Sequence, residues 1–257
     1  MNPGLRAAGR LVGMLAVGVL ALQLFFLLRI ALMVVVAPES TSFQRSEIWR
    51  LIVEKHALPW LQDSVPRNRI SDNLRRAVIA SEDAGFVEHH GVEWGAVEGA
   101  WSKNEKAEAR AEVQQNRIVA STKRNPNAKP RVVVAKVVGG STISQQLAKN
   151  LFLSGERTVP RKAQELVITM MLELLLGKER ILTTYLNNVE WGEGVFGAQA
   201  AAQHYFHTQA AFLGAAQAAR LAVMLPAPKR FEKTPSSPYV LGRSATIVAR
   251  MGGVDLP

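Results

Sequence analysis

A chain of 257 residues, 48% apolar and 20% charged, is long enough for one globular domain with a sizeable core plus a short extra element, which excludes a disordered chain and a many-span membrane protein. Its net charge of +10 calls for an anionic partner: nucleic acid, an anionic bilayer surface or a phosphorylated substrate. With no cysteine, disulfides, thiolate nucleophiles and cysteine metal centres are excluded.

Residues 11–28 read LVGMLAVGVLALQLFFLL, in which Gln23 is the one clearly polar side chain, and the apolar run resumes after Arg29 and continues to Ala37. That length predicts a helix able to cross a hydrocarbon layer of roughly 30 Å. It exceeds the apolar core of about 7–15 residues that a cleavable signal carries. Arg6 and Arg10 precede the run, so the basic-flank rule predicts a cytoplasmic segment at 1–10, a signal anchor at 11–37 and the remainder outside the cytoplasm. Nucleic acid is then an unsuitable partner.

Residues 38–70, interrupted by Pro38, Pro59 and Pro66, read as a membrane-proximal connector with short helices. The domain proper occupies 71–257. Ser71 begins a helix that runs to Asp83, with Leu74, Ala77 and Val78 on its apolar side and Gly85 as its stop. Further helices are predicted at 92–100, 141–152, 161–176, 179–188, 198–205 and 210–225. The valines of 131–138 predict one short strand or hairpin arm, and no other strand pattern recurs, so the fold class is mainly α. Residues 101–138 are rich in Lys and Arg, and the sequence STKRNPNAKPR within them predicts a mobile insertion.

Three segments carry residues suited to chemistry. In SEDAGFVEHHGVEW, residues 81–94, Glu82 and Asp83 stand at the negative end of a helix. The helix dipole and burial both disfavour further negative charge there, which suits Glu82 to accept a proton. The same pattern is also compatible with a solvated helix end. His89 and His90 are adjacent and point in different directions, and no third ligand stands at a metal spacing, so no metal site is expected.

In GGSTISQQLAKN, residues 139–150, paired glycines precede Ser141 and Thr142 where a helix cap belongs. The exposed N–H groups of such a terminus suit an anion, and Gln145 and Lys149 share a face. Gln145 beside Gln146 is a poor core choice but a good sugar or phosphate ligand. An ordinary capped amphipathic helix explains the segment too. In ERTVPRKAQELVITMMLELLLGKERILTTYLN, residues 156–187, Pro160 fits a first helical turn, and 166–176 is apolar nearly all round, which predicts a helix central to the core. Glu165 follows Arg161 and Lys162 by four and three residues, an anion between two cations. A surface ion-pair cluster would look the same.

In this order the segments resemble the glycosyltransferase family that includes the polymerase domain of the penicillin-binding proteins, over about residues 71–231. Glu82, Asp83, Phe86, His89 or His90 and Gly91 match its first pattern, and Gly140, Ser141, Thr142, Ile143, Gln145, Gln146, Lys149 and Asn150 its second. The third is met by Arg161, Lys162, Glu165, Lys178, Ile181, Leu182, Tyr185, Leu186 and Asn187, and the fourth by Gly192, Gly194, Gly197, Ala201, Ala202, Tyr205 and Phe206. Two departures stand out: Gln217 replaces the acid usual before the Ala-Leu-Ala run, and the stretch from Lys103 to Val138 is longer than the family norm.

The resemblance implies a lysozyme-like α-helical domain with a small membrane-proximal jaw. With a single anchor and no transpeptidase domain after Pro257, the chain resembles the monofunctional biosynthetic members of Gram-negative bacteria, held in the inner membrane with the catalytic domain in the periplasm. The implied activity is polymerisation of lipid II into linear glycan strands, with inversion at the anomeric carbon and release of undecaprenyl pyrophosphate. Glu82 and Glu165 would be catalytic, Glu82 as base. Asp83, Phe86, His89, Ser141, Thr142, Gln145, Gln146, Lys149, Asn150, Arg157, Arg161 and Lys162 would bind substrate. No cofactor is obligatory, a divalent cation (magnesium or manganese) being the one candidate at the pyrophosphate. The implied partners are lipid II, the nascent strand, membrane lipids and division or elongation proteins. A lytic glycosidase and an inactive membrane scaffold are the rival readings.

Overall fold

The computed structural model describes residues 3–124, 140–156 and 158–257. The chain divides into two compact units, residues 1–91 with 143–257, and residues 92–142.

The first unit begins with α1 (Pro3–Leu32), whose stretch from Arg6 to Leu32 is long and apolar enough to cross a membrane. Leucines and valines are exposed around it, and among its described side chains only Phe26 and Ile30, with Met33 just beyond the helix, are buried in the core. The helix ends at Leu32 and a turn follows, so the helix is shorter than the apolar run to Ala37. The connector folds as expected into short pieces. Thr41 caps α2 (Ser42–Arg50) by accepting from the Gln44 N–H, and a single π-helical turn follows from Leu51 to Lys55. Beyond it lies β1 (Leu61–Gln62).

Ser71 accepts from the Leu74 N–H and starts α3 (Asp72–Glu82) where the sequence places it. Next in this unit come α5 (Ile143–Phe152), α6 (Val159–Leu175) and α7 (Lys178–Asn188), after α4 (Trp94–Arg124) of the second unit. Two short strands, β2 (Glu190–Gly192) and β3 (Val195–Phe196), precede α8 (Ala198–Phe206), α9 (Ala215–Met224), α10 (Pro228–Phe231) and α11 (Pro238–Met251). The mainly α class holds, with an addition the sequence does not announce. β3 pairs in parallel with β1 and antiparallel with β2, placing Leu61 opposite Val195. Strands of two or three residues are too short to display a period of two. Gly194 adopts φ +74°, and a Cβ there would lie 1.8 Å from the Pro59 carbonyl oxygen, so only glycine lets β1 approach.

Helix α3 packs on α9 and α11, α5 packs on α6 and α7, and α1 lies along α6. The large side chains sealed between them include Trp191, Tyr185, Phe86 and Phe196, each worth roughly 1.5–3 kcal/mol of apolar burial. Helix α6 departs from expectation. It buries Glu165, Ile168, Thr169 and Leu172 on one side, but Val159, Met170 and Leu174 are 84%, 59% and 80% exposed on the other. An all-round apolar helix is therefore half outside the protein core, beside the membrane-type helix it touches. Gln23, the polar residue of α1, exchanges hydrogen bonds of 2.8 and 3.0 Å with Gln164 of α6, which satisfies both amides away from water.

The second unit is dominated by α4, which runs to Arg124 rather than stopping near Ala100. Its added length is rich in Ala, Glu, Lys, Gln and Arg, all strong helix formers, so residues 101–124 are helical, while most of the stretch STKRNPNAKPR expected to be mobile lies outside the described residues. The expected strand at 131–138 lies outside the described residues.

Candidate active site

Glu82 is the last residue of α3 and Asp83 its C-cap. Gln146 of α5 donates through Nε2 to Glu82 Oε2 at 3.0 Å, and the Ser81 hydroxyl lies 3.4 Å from Oε1. Tyr185 of α7 donates its hydroxyl to Gln146 Oε1 at 2.9 Å. Three helices thus converge on one carboxylate through a directional chain, Tyr185 fixing the Gln146 amide so that its N–H faces Glu82. Burial raises Glu82 above the usual carboxylate range, the Gln146 and Ser81 hydrogen bonds oppose that, and the Asp83 charge adds to it. Tyr185 is pushed well above its ordinary value by burial and by the charges of Glu82 and Asp83, so it remains a donor.

Asp83 has both carboxylate oxygens engaged. Oδ1 lies 2.8 Å from His89 Nε2, and Oδ2 accepts the Ile143 N–H at 2.9 Å. His89 Nδ1 accepts the Gly91 N–H at 3.1 Å. That contact leaves Nε2 as the protonated nitrogen of the neutral ring, donating to Asp83. The anion expected at the start of α5 is therefore Asp83 itself, at a helix end where a carboxylate is stabilised. Gly91, at φ +88°, closes the turn on α6, where a Cβ would come within 2.7 Å of Thr169 Cγ2. Phe86 is fully buried, its ring 4.5 Å from Lys178 Nζ and set edge-on to His89.

Asp83, Phe86 and His89, expected to bind substrate, are thus turned inward, and what they fix is the turn after Glu82. The sequence cannot separate the two roles, because a buried capping carboxylate and a ligand-facing one are the same letter. Two partners, Ser144 and Glu173, escape sequence reasoning. Ser144 donates to Glu173 Oε1 at 2.5 Å and Lys178 donates to the same oxygen at 2.8 Å, tying α5, α6 and the start of α7 together. A lone acid within the apolar run 166–176 was the available signal for Glu173.

On the first turn of α6, capped by Thr158, Arg161 Nη1 meets Glu165 Oε2 at 2.8 Å, and Lys162 Nζ meets Oε1. The expected triad of one anion and two cations is present, with Glu165 only 3% exposed and Lys162 51% exposed. Thr169, one turn on, donates to the Glu165 carbonyl at 2.7 Å, so the triad sits one helical turn from the contact made by Gly91. Gln145 and Asn150 are buried on α5 and Lys149 is exposed. Ser141 is half-buried and Thr142 buried in the second unit, and Arg157 lies outside the described residues. Gln217 has a structural use: its Oε1 accepts the Gly214 N–H at 3.0 Å at the start of α9. An amide oxygen performs that capping as a carboxylate would.

A transglycosylase family model matches residues 58–115 and 128–252, interrupted within the stretch that is longer than the norm. The chain belongs to the transglycosylase family. This transglycosylase is 48% identical to a protein of Paraburkholderia xenovorans (strain LB400), over 94% of the chain and 90% of the relative. It is 50% identical to one of Cupriavidus metallidurans (strain ATCC 43123 / DSM 2839 / NBRC 102507 / CH34), over 96% and 97% of the two chains. A third, from Ralstonia nicotianae (strain ATCC BAA-1114 / GMI1000), is 49% identical over 98% and 99%. All three bear the name biosynthetic peptidoglycan transglycosylase.

Proposed function

We propose that this transglycosylase is a peptidoglycan glycosyltransferase of cell-wall synthesis that polymerises lipid II, with Glu82 as general base. The observation that carries the reading is Glu82 itself, largely withdrawn from water and held by neutral donors, so that its affinity for a proton is raised. In the reaction, the 4-hydroxyl of the acceptor sugar attacks the anomeric carbon of the growing strand and transfers its proton to Glu82. The carbon–oxygen bond to the undecaprenyl pyrophosphate breaks with its electrons leaving on the pyrophosphate, and the configuration inverts.

Charge developing on that pyrophosphate needs cations. Lys162, Arg161, Lys149 and Arg157 supply them, and Glu165 positions the first two by ion pairs to both of its oxygens. Because those oxygens are taken, Glu165 does not fit as a ligand for a divalent cation, and no step is assigned to a metal. Gln145, Ser141, Thr142 and Asn150 remain candidates for sugar or phosphate contacts. The helix α1 is a membrane anchor, with Arg6 and Arg10 on its cytoplasmic side and the catalytic domain in the periplasm. The exposed apolar side of α6 then rests in the bilayer beside it.

Purified full-length protein given labelled lipid II will make glycan polymer, and Glu82→Gln will reduce the rate by about 10²–10⁴-fold, the usual weight of a general base. Equal rates would overturn the assignment of the base. Release of fragments from finished sacculi would instead favour lysis.

A further inference from the structure

The face of α7 formed by Arg180, Thr183, Thr184, Asn187 and Asn188 borders a cavity of about 370 Å³ that plays no part in the chemistry above. Its opposite walls are Ala37 and Pro38, just beyond the end of α1, and residues 64–67 of the connector. Reading α1 as a membrane span fixes the depth of this cavity. The end of a spanning helix stands where hydrocarbon gives way to headgroups, and Arg180 Nε donates to the Met33 carbonyl oxygen there at 3.0 Å.

The charge on the lining is uneven. Arg67 pairs with Glu179 at 3.1 Å, whereas Arg180 has no carboxylate partner among the described residues. Its Nη2 is buried without a hydrogen-bond partner. Asn188 is 2% exposed, its Nδ2 donates to the Thr184 carbonyl oxygen at 2.8 Å, and its Oδ1 is buried without a partner. A buried donor carrying a positive charge and a buried acceptor are each costly to leave unmade. Both belong to residues lining one cavity, which calls for a ligand that is anionic at one end and carries N–H or O–H at the other.

We infer that this cavity binds the headgroup of a membrane glycerophospholipid, with its phosphodiester on Arg180 and its ammonium or hydroxyl group on Asn188. Such a lipid, drawn from the leaflet on the side of the domain, bridges the exit of α1 to α7, the helix that also supplies Tyr185 to the active site. Phosphatidylethanolamine and phosphatidylglycerol have the required donor, and phosphatidylcholine, with its methylated ammonium, does not.

The test is native mass spectrometry of the full-length protein released from nanodiscs of mixed composition. Wild type should retain one phosphatidylethanolamine or phosphatidylglycerol in preference to phosphatidylcholine. Arg180→Gln should lower that retention about tenfold, the weight of a charge-assisted hydrogen bond. Thr183→Trp, which fills the cavity but leaves the Arg180 contact to Met33 intact, should lower it similarly and guards against misfolding of the arginine variant. Inorganic phosphate added in excess should not displace the lipid. Equal retention by wild type and both variants would overturn the proposal. Displacement by phosphate would overturn it in favour of a free-anion site, and equal retention of phosphatidylcholine would remove Asn188 from the recognition.

Discussion

Glu82 and Glu165 are both carboxylates withdrawn from water, and their partners are opposite in kind. Glu82 meets a glutamine amide and a serine hydroxyl with a second acid beside it, whereas Glu165 meets a guanidinium and an ammonium. Neutral donors leave much of the cost of a buried charge in place, which raises proton affinity. Full cations offset it and hold the carboxylate as a fixed anion. One fold therefore maintains a carboxylate of raised proton affinity and a carboxylate paired with cations on packed helices by the choice of neighbours alone.

The sharpest way to break this comparison is to make the same isosteric change at both sites. Glu165→Gln leaves Arg161 and Lys162 beside each other without an anion, and should destabilise the fold by about 2–4 kcal/mol, seen as a fall of several degrees in Tm. Glu82→Gln should instead raise Tm. Because the folded-state pKa of Glu82 is raised, its favourable contribution is present below the ordinary glutamate range and is lost as pH rises through the raised value. The advantage of Glu82→Gln over wild type should therefore grow in thermal melts as pH rises above the ordinary glutamate range. A drop in Tm for both variants would show that the two environments are not energetically opposed.

A smaller effect concerns tuning. The Gln146 hydrogen bond lowers the proton affinity of Glu82 against the effect of burial, so Gln146→Ala should shift the acid limb of kcat/KM to higher pH and reduce kcat/KM at neutral pH by about tenfold. Tyr185→Phe acts on Glu82 only through Gln146, and should move the limb the same way by less. An unchanged limb in Gln146→Ala would mean that burial alone sets the base.

The smallest expected effect lies away from the site, at Glu190 of β2. Burial pushes this carboxyl up to about 7 although Lys229 Nζ stands 3.3 Å away. Its stabilising contribution is complete below about 4.5 and lost as pH rises through about 7. Glu190→Gln should flatten the stability profile over that window and leave the variant more stable than wild type above it, with catalysis unaffected. Chemical denaturation at several pH values would read this directly.

Much of the chain was legible because short-range physics decides it. The Ser71 cap and the helix after it, the Thr158–Pro160 start of α6 and the i, i+3 and i, i+4 pairing of Lys162 and Arg161 with Glu165 are local features, and local features are written in adjacent letters. The apolar length of α1 and the ordered motifs were equally direct. The sequence could not show that one side of α6 faces outward, because an apolar run reads the same against protein or lipid. Nor could it reveal the β1–β3–β2 sheet, in which β1 pairs with β3 across more than a hundred residues, or the length of α4.

The proposed chemistry thus resided in the sequence, in the types and order of Glu82, Gln146, Arg161, Lys162 and Glu165. The division of labour among them was decided by the tertiary structure. Asp83, Phe86 and His89 carry groups able to contact a sugar or phosphate, and only the approach of the Ile143 and Gly91 N–H groups and of Lys178 turns them inward to fix the turn behind Glu82. A hydrogen bond between residues 60 apart is decided by packing, and packing is a property of the whole fold.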